Sequence, residues 1–160
     1  LIDRLGIDSP LARLGDFFYH LGLSGTPEPF TLIHGISHML GLLHPRYPMG
    51  IVTARGVRTA RLFLEQFELS EAFACVASAQ SCRYTKPHPD PILWAASQMG
   101  VLPENCLMIG DTTPDILAGK AAGAQTVGVL CGFGEERELR QAGADLILPS
   151  TADLAEVLIR

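Results

Sequence analysis

The chain has 160 residues, 48% of them hydrophobic and 18% charged, and a formal net charge of −5. That length fits one domain with a real core, and the acidic balance argues against a nucleic-acid partner. No run approaches the roughly 18 apolar residues of a membrane helix.

Residues 1–24 read as one or two helices, with Leu11, Leu14, Phe17, Phe18 and Leu21 at helical spacing. Asp3, Arg4 and Asp8 interrupt the opening residues, which therefore do not read as a secretory signal. The first residue is Leu1 rather than Met, which suggests a piece with something removed. Gly25-Thr26-Pro27-Glu28-Pro29 is a loop and the one candidate linker. Residues 31–44 read as a helix ended by His44-Pro45. Beyond it, strands are expected at 48–53, 73–78, 106–110, 125–130 and 145–148. Helices are expected at 56–68, 90–99, 114–122, 135–142 and 151–159. Strands alternating with helices predict an α/β fold built on a doubly wound, mostly parallel, Rossmann-like sheet. Cys75, Cys82, Cys106 and Cys131 show no CxxC spacing and read as reduced thiols of a cytoplasmic protein.

Polar residues stand at the ends of the apolar runs, where doubly wound sheets bind ligands. Thr53 ends Gly50-Ile51-Val52-Thr53, and its hydroxyl with the following N–H groups can hold phosphate at a helix N-terminus. Taken alone, such a Thr is more often a simple cap. Lys86 opens Lys86-Pro87-His88-Pro89-Asp90-Pro91, where prolines keep the loop extended. A lysine there can neutralise phosphoryl charge. Asp111 and Asp115 lie one helical turn apart, so both carboxylates can reach one Mg²⁺; alternatively Asp115 only complements a helix N-terminus. Gly110 allows a close backbone approach, and Thr112 or Thr113 can cap the next helix with Pro114 in its first turn. Arg55 and Arg58 flank the phosphate loop. His34 and His38, spaced i, i+4, share a face of the expected helix but lack further metal ligands. Gly132-Phe133-Gly134 lacks the third glycine of a dinucleotide fingerprint and reads as a turn.

Together these residues resemble the haloacid dehalogenase-like hydrolase superfamily, and within it the phosphoglycolate phosphatase and β-phosphoglucomutase-like group. Ile51-Val52-Thr53-Ala54-Arg55 is similar to the family's second motif, Lys86-Pro87-His88-Pro89-Asp90-Pro91 to its third, and Gly110-Asp111-Thr112-Thr113-Pro114-Asp115 to its fourth, GDxxxD. Gly132-Phe133-Gly134 and Ala142-Gly143-Ala144-Asp145 also resemble the family's later part. The resemblance implies a core over 31–160 behind a remnant of a helical cap at 1–30. It implies a Mg²⁺-dependent phosphatase of a small phosphorylated metabolite, working through an aspartyl-phosphate. Thr53 and Lys86 take catalytic places, Thr53, Ala54, Arg55 and Lys86 bind phosphate, and Asp111 and Asp115 hold the metal.

The family's first motif, a strand followed by the nucleophilic DxDGT, has no counterpart; Asp3 is followed by Arg4-Leu5. This chain alone is therefore expected to be inactive. In the family that strand lies between those ending here at Thr53 and Asp111, so its loss leaves a gap of about 10 Å. The slot is expected to be filled by a strand-completing segment or a second chain, unless the two strands pair directly. A non-catalytic binding or assembly module is the alternative. A phosphoacceptor receiver domain is disfavoured, because there the acidic residues come first and the lysine last.

Overall fold

The structure, a computed structural model, describes residues 30–159. The expected helices over 1–24 and the linker at 25–29 lie outside them, as does all of the cap remnant at 1–30 except Phe30. The elements run α1 (Ile36–Leu43), β1 (Gly50–Val52), α2 (Val57–Gln66), β2 (Cys75–Ala77), α3 (Asp90–Met99) and β3 (Leu107–Gly110). They continue with α4 (Thr113–Ala122), β4 (Gln125–Val129), α5 (Glu136–Gln141), β5 (Leu146–Leu148) and α6 (Leu154–Leu158). Each strand and helix expected from residue 31 onward is present, most of them shorter. The helix expected over 31–44 starts only at Ile36, because Gly35 at its N-cap has φ 85. His34 thus precedes α1 and shares no helix face with His38. The helix expected over 151–159 opens as a 3₁₀ turn at Thr151–Asp153 before α6.

Among the described residues every strand pair is parallel. Side chains along each strand alternate between two helical layers, as the period of two requires. Ile51, Leu107, Ile109, Val127 and Val129 pack with Met39, Leu40 and Leu43 of α1, Leu64 of α2 and Leu154 of α6. Val52 and Met108 face the other way, onto Ile92 of α3 and Ala118 of α4. Both faces are covered, which is why the strands are mostly apolar, with Gln125 and Thr126 of β4 the polar exceptions. This is the doubly wound α/β arrangement.

The sheet is in two parts. Among the described residues β1 pairs with β2, and β3–β4–β5 form a separate three-stranded sheet. The strands ending at Thr53 and Asp111 do not pair with each other, so direct closure is not how this chain resolves the slot. α3 packs on β1 and β2, α4 packs on β3 and β4, and α3 and α4 pack side by side. The core nevertheless runs across both parts, since Ile51 and Ile109 belong to one apolar cluster.

Candidate active site

The polar residues converge at the carboxyl ends of β1 and β3. Thr53 continues β1 by donating its N–H to Ala77 O at 2.8 Å. Its Oγ1 accepts the N–H of Arg55 at 3.1 Å, which turns the chain toward α2. Ala54 and Arg55 are exposed, and the Arg55 guanidinium lies over the Phe30 ring, 5.8 Å from its centroid. The following loop is held by Val57 N–H donating to Gln80 Oε1 at 2.8 Å.

Lys86 bridges the two half-sheets. Its Nζ donates to the carbonyl of Val52, at the end of β1, at 3.1 Å. The same ammonium stands 2.6 Å from Asp115 Oδ1 in the first turn of α4. The lysine side chain is 16% exposed and the aspartate side chain 6%. A charge pair so little hydrated is screened far less than a surface pair.

Asp115 is fully engaged. Its Oδ2 accepts from Thr112 N at 3.0 Å and from Thr112 Oγ1 at 2.7 Å. Thr112 is the N-cap of α4, with Pro114 in the first turn, so the capping expected of Thr112 or Thr113 falls to Thr112. A Cβ on Gly110 would collide with the Asp115 side chain. The glycine is therefore required for this packing, and Asp115 sits under the strand tip rather than out in solvent.

Asp111, the first residue after β3, is half-buried. Its Oδ2 accepts the backbone N–H of Phe133 at 2.9 Å. Sequence reasoning did not find this contact, nor the Val52 carbonyl that receives Lys86. Both are backbone groups, which carry no side-chain signature. Gly132-Phe133-Gly134 was the available signal; from sequence it reads as a turn that resembles the family's later part, with no role at the site.

A family model of the haloacid dehalogenase-like hydrolases matches residues 17–129, more than half of the chain. The chain belongs to the haloacid dehalogenase-like hydrolases. It is 33% identical over 149 residues to a phosphoglycolate phosphatase of Escherichia coli (strain K12), across 92% of this chain and 58% of that protein. The chain thus spans little more than half the length of that relative. Among solved structures, it superposes on a predicted phosphoglycolate phosphatase from Haemophilus somnus 129pt with a TM-score of 0.76 and 26% identity, covering 91% of this chain and 64% of that one. A hydrolase from Pseudomonas syringae gives a TM-score of 0.73 at 31% identity, over 79% and 60% of the two chains.

A haloacid dehalogenase-like site with Mg²⁺ needs hard oxygen donors, and Mg²⁺ is commonly held by one or two carboxylates together with substrate phosphate and waters. Asp111 fits that requirement as a half-buried carboxylate at a strand tip, with one oxygen oriented by a backbone N–H. Asp115 has Lys86 on one carboxylate oxygen and Thr112 on the other in this arrangement. Among the described residues no group of three or more His, Cys, Asp and Glu side chains converges. His34 and His38 are both exposed.

Proposed function

We propose that these residues form the core of a phosphomonoester phosphatase acting on a small phosphorylated metabolite, with phosphoglycolate as the first substrate to try. One observation supports this most: a little-exposed ammonium, Lys86, fixed between the carbonyl that precedes Thr53 at the end of β1 and the first turn of α4. Asp115 and the Val52 carbonyl hold Lys86 in place, so its charge is oriented before a phosphoryl group arrives. The Thr53 hydroxyl, which accepts from Arg55 N–H, keeps its own proton to donate to a phosphoryl oxygen. Ala54 and Arg55 complete the phosphate loop. Asp111 is the residue that would hold Mg²⁺, which when bound offsets phosphoryl charge. Asp115 then serves as the partner of Lys86 rather than as a metal ligand.

In the parent protein an aspartate of the DxDGT motif attacks phosphorus, giving an aspartyl-phosphate that water hydrolyses. This sequence holds no DxDGT, so the chain alone is inactive in this reading. The division into a cap remnant at 1–30 and a core at 31–160 lacking its first strand belongs to the same proposal. So does a cytoplasmic location, supported by four free cysteines. The split sheet favours a second reading, a non-catalytic module whose edges at β1 and β3 accept a strand from another segment or chain.

Hydrolysis of p-nitrophenyl phosphate and phosphoglycolate with Mg²⁺ tests the first reading. The 160-residue chain should show no turnover. A longer protein carrying DxDGT ahead of these residues should show it, and Lys86→Met should lower its kcat by about 100-fold or more. Turnover by the 160-residue chain, lost in Thr53→Ala, would demand a different nucleophile. A longer protein inert toward phosphomonoesters would favour the non-catalytic module.

A further inference from the structure

Asp111 is wrapped by a segment that no motif assigns to the site. Gly132-Phe133-Gly134 follows β4 and passes directly over the Asp111 carboxylate. The Phe133 N–H donates to Asp111 Oδ2 at 2.9 Å. A Cβ on Gly132 would collide with the Asp111 carboxylate, and one on Gly134 with the Asp111 backbone carbonyl. Neither glycine has a positive φ. They are needed for close approach, not for an unusual backbone conformation. Between them the Phe133 side chain is 95% exposed, so the ring does not hold the segment down. What the segment contributes at Asp111 is backbone.

We propose that Gly132-Phe133-Gly134 is a positioning clamp for Asp111, fixing the carboxylate with Oδ2 turned to the Phe133 amide and Oδ1 presented for a divalent cation. The cation part of this rests on the reading of Asp111 as the metal residue; the clamp itself does not. Groups that orient a ligating carboxylate commonly change metal affinity by about 10–100-fold when removed. Gly132, Phe133 and Gly134 are thus positioning residues that act through Asp111. The clamp also ties the loop after β4 to the residue that follows β3.

Two measurements on the 160-residue chain test this separately. The first is amide hydrogen exchange at residue 133 by NMR. An exposed residue with an unbonded amide exchanges fast, so the clamp expects protection at 133 in the wild type and its loss in Asp111→Ala. Equal exchange in the two proteins overturns the clamp, whatever the metal does. The second is Mn²⁺ binding followed by electron paramagnetic resonance, with circular dichroism confirming that each variant is folded. Phe133→Pro deletes the N–H and should weaken Mn²⁺ at least tenfold. Phe133→Ala keeps the N–H and should restore the affinity to within twofold of wild type. Gly132→Ala, which drives a methyl into the carboxylate, should behave as Phe133→Pro. A folded Phe133→Pro that binds Mn²⁺ as wild type does overturns the positioning role. Mn²⁺ binding that survives Asp111→Ala, or a wild type that binds none, overturns the metal reading instead, and the exchange experiment still decides the clamp.

Discussion

Replacing Asp115 by Asn should be among the most costly conservative changes in this chain. Asn has the same shape and its carbonyl can still accept from Thr112, but it presents no charge to Lys86. The ammonium is 2.6 Å from the carboxylate it loses and its side chain is only 16% exposed. Removing one partner of a buried pair typically costs about 3–5 kcal/mol, because the other charge stays behind uncompensated. Lys86 retains its 3.1 Å hydrogen bond to Val52 O and some hydration, which places the cost near the lower end, about 3 kcal/mol. Urea unfolding followed by circular dichroism reads this directly. With a slope of about 2 kcal/mol/M, the midpoint should fall by about 1.5 M. Lys86→Met should cost a similar amount. The double variant Lys86→Met/Asp115→Asn should cost clearly less than the sum, with a coupling of about 2 kcal/mol. The exposed i, i+4 pair Arg61–Glu65, at 79% and 51% exposure, provides the contrast: Arg61→Ala should change stability by under about 1 kcal/mol. If Asp115→Asn costs less than about 1 kcal/mol and the double variant is additive, Lys86 and Asp115 are not a buried, mutually dependent pair. Asp115 is then open to serve a metal instead of Lys86.

Asp145 carries a pH dependence of a different origin. Hydrogen bonds from Lys120 and Thr126 lower its carboxyl from an ordinary 3.8 to about 2. A folded-state pKa below the unfolded one means that the carboxylate stabilises the fold fully above about pH 3.8 and loses that contribution as pH falls toward 2. Acid-unfolding curves should therefore separate wild type from Asp145→Asn at neutral pH and converge near pH 2; a constant separation across that window would contradict the assignment. In the core, Leu139 is 0% exposed and carries α5 onto β4 and β5. Leu139→Ala should cost about 2–5 kcal/mol in urea unfolding, and a loss under about 1 kcal/mol would mean that α5 is not docked as described.

The order of strands and helices from residue 31 onward was open to inspection in the sequence because it depends on local periodicity. Apolar runs such as 106–110 and 125–130 suit strands buried on both faces, and the helices alternating with them supply the covering layers. The cluster of Thr53, Lys86, Asp111 and Asp115 was visible for the same reason: each ends an apolar run or opens a turn, and a parallel sheet gathers such ends at one edge. What each of the four touches was not visible. Asp115 reads from sequence as a second metal carboxylate or as the acid of a helix N-terminus; only tertiary packing sets it under Gly110, with Thr112 on one oxygen and Lys86 on the other. Whether the strands ending at Thr53 and Asp111 close onto each other also depended on tertiary structure. The two strands lie in separate sheets, and strand order depends on pairing partners that neither strand's own sequence names. The hold of Phe133 on Asp111 across 22 positions of sequence comes through a backbone N–H. Every residue but proline has that donor, so only the folded chain could say which one is aimed at the carboxylate.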